Sequence, residues 1–251
     1  KRVDNRDQAV AAFKEMARIV SPQTDAIFKQ GTGLVLEQYL EGPEWDVDVV
    51  MQGGKAVFAS LTDNKPTREP YFLATGSRLP SRLSEGHRKE SMELSIRSAQ
   101  ALGLTDGVIH MEGKSTSEGP RLIEANGRMG GEYVRDWVKA VWGVDLVEEN
   151  LMAAAGIPIK PFMPEEPLAY LDGDFIIPAK SGVISAFGLP KEARDDPGFG
   201  ELRVMKKVGD RIAVPPDGYD RAGMLVARGA TGKQAERNLR ALKAKLLLDI
   251  K

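Results

Sequence analysis

The chain has 251 residues, of which 42% are hydrophobic and 28% charged, and its formal net charge is −1. No apolar run approaches the ~20 residues of a membrane span, the near-neutral charge argues against nucleic acid held by bulk electrostatics, and the absence of cysteine excludes disulfides, thiolate metal sites and a cysteine nucleophile. With no signal-like segment at the start, we expect a soluble, cytoplasmic protein of one large or two smaller domains.

The first predicted element is a helix that begins after Asn5, which is suited to cap it, with Gln8 as its capping-box partner. One apolar stripe runs along this helix, formed by Ala9, Phe13, Met16 and Val20. Since the chain opens with Lys1 rather than methionine, we also expect a further N-terminal part of the same protein upstream.

Antiparallel strands are predicted next, from short apolar runs that are punctuated by glycine. These strands span residues 33–40, 45–52 and 55–60. Gly53 and Gly54 supply the tight turn between the last two. Asp46 and Asp48 alternate with apolar residues in the middle strand, and we interpret them as its polar face in preference to metal ligands.

Residues 61–84 lack periodicity and are rich in proline, threonine, serine and arginine, which predicts a long loop, and long loops in compact domains are often functional. Lys65 and Arg68 can pair with carboxylates, and Thr67 can form a hydrogen bond. This loop is therefore a candidate for gripping a carboxylate substrate, and the alternative is a solvated charged loop. A helix from about 85 to 102 follows.

The most informative segment is a predicted hairpin whose arms are residues 108–114 and 120–128, joined by the turn-rich residues 115–119. Glu112 and Glu124 are equidistant from its centre, so a symmetric antiparallel register makes them face each other with Cβ atoms about 4.5–5.5 Å apart. A divalent cation between them would turn their repulsion into attraction. The alternative is an exposed hairpin whose carboxylates lie in water.

Asn126 lies on the same strand face as Glu124 and adds a neutral oxygen ligand. Such an oxygen set favours Mg²⁺, with Mn²⁺ as the alternative, and substrate phosphates usually complete the shell of Mg²⁺. His110 lies on the same strand face as Glu112, so its side chain is expected to point into the same site. The alternative is that His110 is a structural histidine.

An arginine and two glycines follow the second arm of the hairpin. Arg128 can stabilise developing negative charge, and Gly130 and Gly131 let the backbone and a helix N-terminus approach an anion. For the glycines, the alternative is a simple turn between strand and helix. Helices are predicted around 131–141 and 145–155.

Residues 161–164 contain two prolines and predict a domain boundary, after which the sequence pattern changes to short strand-like runs. Short strand-like runs occupy residues 175–177, 182–185, 211–214 and 224–227. A last helix opens with a capping box from Thr231 to Gln234, and its apolar stripe is Ala235, Leu239, Leu242 and Leu246. We interpret residues 161–251 as a smaller C-terminal α+β lobe.

One further motif resembles the nucleotide hinge of ATP-grasp ligases, and the carboxylate hairpin lies at the expected distance downstream of it. The motif reads Glu37-Gln38-Tyr39-Leu40-Glu41-Gly42-Pro43-Glu44. Within that family, the chain is similar to the carnosine synthases and the bacterial L-amino acid ligases. The phrases that carry this similarity are residues 41–48, 63–68 and 120–131, followed by Tyr133-Val134-Arg135-Asp136-Trp137.

The resemblance implies an ATP-grasp fold of the α+β class, with a central antiparallel sheet and flanking helices. Residues 1–40 would be the end of the first lobe with the nucleotide hinge. Residues 41–160 would be the second lobe with the metal site, and residues 161–251 the C-terminal subdomain.

The resemblance also implies a nucleotide site. The hinge would contact adenine through Glu37, Gln38, Tyr39 and Leu40. The Gln38 carbonyl and the Leu40 amide would face the adenine edge, because the end of a strand offers free backbone groups that imitate a base pair. Glu44 would accept hydrogen bonds from the ribose hydroxyls. Whether Ile123 also contacts adenine is left open, because its side chain points to the strand face opposite Glu124.

The implied activity is the joining of two amino acids into a dipeptide through an acyl phosphate, with ATP and Mg²⁺ as cofactors, ADP and phosphate as products, and Arg128 holding the reacting charge. The family's phosphate-holding lysines and glycine-rich loop do not occur in this chain. Two alternatives stay open: another ATP-grasp ligation or carboxylation, and a non-catalytic nucleotide-binding lobe.

The expected partners are small-molecule amino-acid substrates and the upstream part of the same enzyme, with neither nucleic acid nor a membrane. A homo-oligomer stays open.

Overall fold

A computed structural model describes residues 1–20, 29–215 and 217–251. These residues divide into two compact units: the first contains Lys1–Leu40 and Thr67–Leu73, and the second contains Glu41–Pro66 and Ala74–Lys251. No helix within the described residues is long and apolar enough to cross a membrane.

The first unit contains the helix α1, Arg6–Ile19, whose predicted cap is confirmed. The Asn5 side chain accepts a hydrogen bond from the Gln8 amide at 2.9 Å, while the Gln8 side chain accepts one from the Asp4 amide at 2.9 Å. The predicted strand over residues 33–40 is wrong, because these residues form no strand. An extended segment needs a neighbouring strand to pair its backbone, and none of the described strands pairs with it.

The second unit is built on helices and antiparallel strands that alternate irregularly along the chain. The strands are β1 (Glu44–Gln52), β2 (Lys55–Asn64), β3 (Gly76–Leu79), β4 (Gly107–Thr116), β5 (Gly119–Asn126), β6 (Tyr170–Ile176), β7 (Gly182–Gly188), β8 (Phe199–Val204), β9 (Arg211–Ile212), β10 (Gly223–Gly229) and β11 (Leu247–Ile250). The helices are α2 (Glu85–Ala101), α3 (Val134–Trp142), α4 (Leu146–Ala154), α5 (Lys191–Arg194) and α6 (Gly232–Lys243).

Among the described residues, eight strands form one sheet in the order β5-β4-β1-β2-β3-β6-β10-β8, and every neighbouring pair is antiparallel. Three short strands form a second sheet in the order β11-β7-β9. The large sheet is continuous across the predicted boundary near residue 161, because β6 pairs with β3. Residues after 161 therefore complete the same sheet as well as forming their own.

The predicted loop over residues 61–84 is shorter than expected. Strand β2 continues to Asn64, and β3 interrupts the segment at Gly76–Leu79. The sequence pattern missed β3 because four residues are too few to show a period. It also missed β8, α5 and β11, while the predicted helices that became α2, α3, α4 and α6 are confirmed to within a few residues at their ends.

The two faces of the sheet are covered by different helices, and the alternation of β1 shows how. Trp45, Val47, Val49 and Met51 pack in one hydrophobic core with Ala99 of α2. Val50 belongs to another core, where the buried side of α3 supplies Val134, Trp137, Val138 and Val141. Since successive side chains of a strand point to opposite faces, Asp46 and Asp48 lie on the α3 side of the sheet.

Helix α6 closes a third core, in which Leu239 is 3% exposed. We expect Leu239→Ala to lower the free energy of unfolding by about 2–5 kcal/mol, because the truncation removes buried methyl groups and leaves a cavity. Urea denaturation measures this loss. The matched control is Leu151→Ala in α4, where the leucine is 63% exposed, and a change there within about 0.5 kcal/mol is expected. Equal losses in the two variants would contradict the position of Leu239.

Candidate active site

Glu112 is directly opposite Glu124 in the hairpin of β4 and β5, as predicted, but the predicted symmetric register is wrong. Gly113 pairs with Leu122, so the register shifts by one residue between Gly113 and Glu112, with Ile123 as the additional residue. Asn126 is opposite His110, and this pair lies two residues along each strand from the pair of Glu112 and Glu124, on the same face. The turn is tighter than predicted, since pairing continues to Thr116 and Gly119. Glu124 is exposed and Glu112 is partly buried, so the two facing carboxylates stand where the sheet opens to solvent.

His110 is buried beside three carboxylates, which come from the neighbouring strand β1 and from its own strand. Its Nδ1 lies 3.1 Å from Oδ1 of Asp48, and its Nε2 lies 3.5 Å from Oε1 of Glu112 and 4.0 Å from Oδ2 of Asp46. Both ring nitrogens therefore face protein carboxylates. This placement does not support the predicted contact of His110 with a substrate.

Asp48 joins this histidine to the glycine segment that follows the hairpin. The side chain is fully buried, and its Oδ1 also accepts a hydrogen bond from the Gly130 amide at 2.8 Å. Gly130 is required here by packing, since a Cβ at this position would lie 2.8 Å from Nδ1 of His110 and 2.8 Å from Val134. At Gly131, by contrast, a Cβ would meet nothing within 4 Å.

Asp46 begins a second chain of polar contacts on the same face. Its Oδ1 accepts a hydrogen bond from the Asn64 amide group at 2.7 Å, and the Asn64 carbonyl oxygen accepts one from Ser77 at 2.9 Å. Ser77 is also hydrogen-bonded to the hydroxyl of Tyr133, just before α3. Four elements are thus tied together by uncharged polar groups around one buried carboxylate.

Burial and mutual charge shift the pKa values of this cluster. Burial raises the pKa of Asp46 to about 7, although the neighbouring His110 charge works in the opposite direction. Burial alone would lower the pKa of His110, but hydrogen bonds to Asp48 and Glu112, together with the Asp48 and Asp46 charges, raise it to about 10. Burial also raises the pKa of Tyr133. At neutral pH, positive charge on His110 is therefore stabilised by the surrounding carboxylates.

Arg128 is exposed at the start of the glycine segment, and its guanidinium donates to the Met129 carbonyl at 2.9 Å. Helix α3 begins only at Val134, and Tyr133 at its N-cap position makes no side-chain capping bond. The segment from Arg128 to Gly131 is therefore a loop at the end of β5, which presents the Arg128 cation. The predicted approach of the Gly130 backbone to an anion is not supported, because its amide is buried and already bonded to Asp48.

The predicted adenine contacts belong to the first unit and do not form a strand. Glu37 and Gln38 are exposed, Leu40 is half-buried, and the Tyr39 hydroxyl donates to the Glu69 carboxylate at 2.6 Å. The guanidinium of Arg2 lies over the Tyr39 ring, 4.3 Å from its centre.

The remaining predicted nucleotide contacts are in the second unit. Glu44 opens β1, where burial raises its pKa and Lys114 Nζ lies 3.7 Å from its carboxylate. Ile123 is an exposed apolar residue on β5.

The predicted substrate loop is divided by the structure. Lys65 forms ion pairs with Asp174, at 2.6 Å, and with the fully buried Asp172, which also binds Arg78. The neighbouring Asn64 side chain points to Asp46, on the face of the sheet that also carries Glu112. The Lys65 side chain therefore points to the opposite face. The predicted role of Lys65 in binding a substrate carboxylate is therefore not supported, because its charge is already neutralised within the protein.

Thr67 and Arg68 belong to the first unit, where the backbones of Arg68 and Leu73 pair with each other. Arg68 is exposed.

Four residues of the cluster were missed as functional candidates or underestimated by the sequence analysis: Asp48, Asn64, Ser77 and Tyr133. The alternation of β1 signalled that Asp48 shares a face with Asp46, but not that this face is buried. No pattern signals Ser77 or Tyr133, since they come from a four-residue strand and from the residue before a helix.

Two protein-family models match the chain. The ATP-grasp domain matches residues 1–136, and the L-amino acid ligase C-terminal domain 2 matches residues 174–251. Human carnosine synthase 1 is 41% identical over 139 residues, which cover 55% of this chain and 17% of that protein. The L-arginine-specific L-amino acid ligase of Bacillus subtilis is 24% identical over 186 residues, or 73% of this chain and 44% of that protein. The chain thus spans less than half the length of either relative.

Solved structures share the fold. The L-amino acid ligase from Bacillus licheniformis has a TM-score of 0.85 at 22% identity, over all of this chain and 62% of that one. Phosphoribosylglycinamide synthetase from Anaerococcus prevotii has a TM-score of 0.73 at 18% identity, over 90% of this chain and 60% of that one. The predicted α+β ATP-grasp fold is confirmed.

The two adjacent glycines provide a test of the packing around His110. We expect Gly130→Ala to lower the free energy of unfolding by about 1–3 kcal/mol, because its methyl group would press on the His110 ring and Val134. Gly131→Ala is the matched control and is expected to be neutral or slightly stabilising. Thermal or urea unfolding measures both. An equal response of the two variants would show that the Gly130 contact does not exist.

Proposed function

Because this chain belongs to the ATP-grasp family, whose members use ATP and divalent metals, we propose that the full-length protein is a ligase that joins two amino acids into a dipeptide. The observation that carries the proposal is the pairing of Glu112 with Glu124 in a hairpin that leads directly to Asn126 and Arg128. The similarity to carnosine synthase 1 and to an L-amino acid ligase supports amino acids as the substrate class.

The facing acids suit a divalent cation. Two carboxylates directly opposite each other on neighbouring strands repel, and a dication between them would remove that repulsion. Glu112, Glu124 and Asn126 supply oxygen donors, the type that Mg²⁺ prefers and Mn²⁺ accepts. When bound, the metal would neutralise the negative charge of the phosphates that a carboxylate nucleophile meets.

The proposed ATP contacts are those that the family resemblance implies. The backbone of Gln38 and Leu40 would pair with adenine, with Glu37 and Tyr39 beside it, as the family resemblance implies. Glu44 would accept from the ribose hydroxyls, and Ile123 offers exposed apolar surface.

The proposed chemistry has two steps. A substrate carboxylate attacks the γ-phosphorus of ATP, which breaks the bond to the bridging oxygen and gives an acyl phosphate and ADP. The amine of the second amino acid then attacks the acyl carbon, loses a proton and releases phosphate. Arg128 would stabilise the negative charge that develops in these steps, with the backbone of Gly131 nearby in the same loop.

The function is tested by measuring ADP and dipeptide after the full-length protein is incubated with ATP, Mg²⁺ and pairs of amino acids, including β-alanine with histidine. ADP and an amide in equal amounts are expected. AMP as the nucleotide product would exclude the acyl-phosphate route. ADP formation that requires bicarbonate, and no amino acid pair, would assign the protein to another ATP-grasp reaction.

For the metal site, we expect Glu124→Gln to reduce turnover by at least about 100-fold while the protein stays folded, because Glu124 is exposed and the change removes one carboxylate donor. Turnover at several Mg²⁺ concentrations and a thermal melt measure the two effects. Glu118→Gln in the turn of the same hairpin is the matched control, since Glu118 is exposed and outside the site. Wild-type activity in Glu124→Gln would refute this metal assignment.

The two exposed arginines are expected to differ in kinetics. Arg128→Ala should lower kcat by about 10²–10³-fold, because a group that stabilises the transition state is lost. Arg68→Ala should mainly raise KM for one amino acid, because gripping a carboxylate binds ground state and transition state alike. Steady-state kinetics with both amino acids varied separates these effects. A pure KM effect in Arg128→Ala would contradict its proposed role.

A further inference from the structure

Three side chains with metal-ligating atoms converge on the buried face of β1 and β4. Asp46, His110 and Glu112 each offer one such atom, and these atoms lie within 4.8 Å of one another. Asp46 and His110 are only 7% and 5% exposed. The cluster thus combines an imidazole with two carboxylates, which distinguishes it from the oxygen donors of Glu124 and Asn126 on the neighbouring strand.

The orientation of the imidazole favours metal binding. His110 Nδ1 lies 3.1 Å from the Asp48 carboxylate, and Asp48 is itself held by the Gly130 amide. An imidazole that donates from Nδ1 to this carboxylate presents Nε2 to Asp46 and Glu112. Protein metal sites commonly use such a carboxylate to fix the tautomer and direction of a ligating histidine.

The spacing is also suitable. Metal–ligand bonds of about 2.1 Å place two ligand atoms about 3.0–3.4 Å apart for angles between octahedral and tetrahedral. The Nε2 atom is 3.5 Å from Glu112 and 4.0 Å from Asp46. The three ligand atoms lie within 4.8 Å of one another, so side-chain shifts of about an ångström would bring all three to bonding distance of one ion.

The charges of the cluster provide the driving force. Asp46, Asp48 and Glu112 surround a single imidazole, and burial makes uncompensated carboxylates costly. The uncharged Asn64 amide group is the hydrogen-bond donor to Asp46. A dication within this group would interact favourably with all three carboxylates.

We propose that Asp46, His110 and Glu112 form a binding site for a divalent transition-metal ion of the Zn²⁺ or Mn²⁺ class, positioned by Asp48. Imidazole is a ligand for such ions, whereas Mg²⁺ prefers oxygen donors alone. The site shares only Glu112 with the proposed Mg²⁺·ATP site. Its existence does not rest on dipeptide formation, because it is defined without nucleotide or amino acid.

The test uses Mn²⁺ as the probe and the metal-stripped full-length protein without nucleotide. Pulsed EPR detects coupling between Mn²⁺ and a ligating nitrogen, and a titration gives the affinity. We expect nitrogen coupling in the wild type and a changed coupling when histidine is labelled with ¹⁵N. His110→Asn should abolish the coupling and weaken Mn²⁺ binding at least about 10-fold. Asp48→Asn should weaken it about 10–100-fold, the usual effect of losing such a supporting carboxylate.

The chain offers two matched controls. His87 is its other histidine and is exposed on α2, so His87→Asn should retain both coupling and affinity. Glu124→Gln should also retain the nitrogen coupling, although it impairs the proposed ATP site. Asp46→Asn preserves the shape of the side chain, and it should weaken binding without loss of the folded state.

Two results would overturn this site. Mn²⁺ bound without nitrogen coupling in the wild type, or coupling unchanged by ¹⁵N-histidine, would show that His110 is not a ligand. Either result can occur together with ATP-dependent dipeptide formation, which would leave the proposed function intact. Conversely, histidine coupling in a protein that joins no amino acids would support the site and refute only the ligase proposal.

Discussion

The buried carboxylate of Asp48 is the constraint on which the candidate site depends. It is fully buried, and one of its oxygens accepts from both His110 of β4 and the amide of Gly130 after β5. A charge in this position requires partners, because an isolated buried carboxylate is strongly disfavoured. Those partners bring the end of the hairpin and the glycine segment to the same strand, and they direct the imidazole toward Asp46 and Glu112.

The pleat of β1 explains how one strand serves both stability and chemistry. Its odd-numbered residues from Trp45 to Met51 pack under α2, while Asp46 and Asp48 lie on the α3 side. The apolar core beneath the sheet therefore holds the register that places Glu112 opposite Asp46. A slip of β1 by one residue would turn each of its side chains to the opposite face. The aspartates would then lie in an apolar core, and Trp45 would leave it.

Local signals were sufficient where a short stretch of sequence contains all the interacting groups. The caps at Asn5 and Thr231 and the Gly53-Gly54 turn depend on residues within one turn of each other, and all three were predictable. The pairing of β4 with β5 as one hairpin was also predictable, although Glu112 faces Glu124 only because the register shifts by one residue between Glu112 and Gly113. In contrast, β3 pairs with β6 across about a hundred residues of chain, and no local period encodes such a contact.

The sequence by itself determined the family, the hairpin that carries Glu112 and Glu124, and the order of charged and glycine residues after them, because these depend on short local patterns. The register shift that places Glu112 opposite Glu124 was decided by the structure. Tertiary structure decided which charges are available. Lys65 and His110 carry equally suggestive side chains, yet Asp172 and Asp174 neutralise the first and Asp48 orients the second. The sequence could not show this, because the partners come from strands distant along the chain, and electrostatic interactions depend on distance and burial rather than on sequence position.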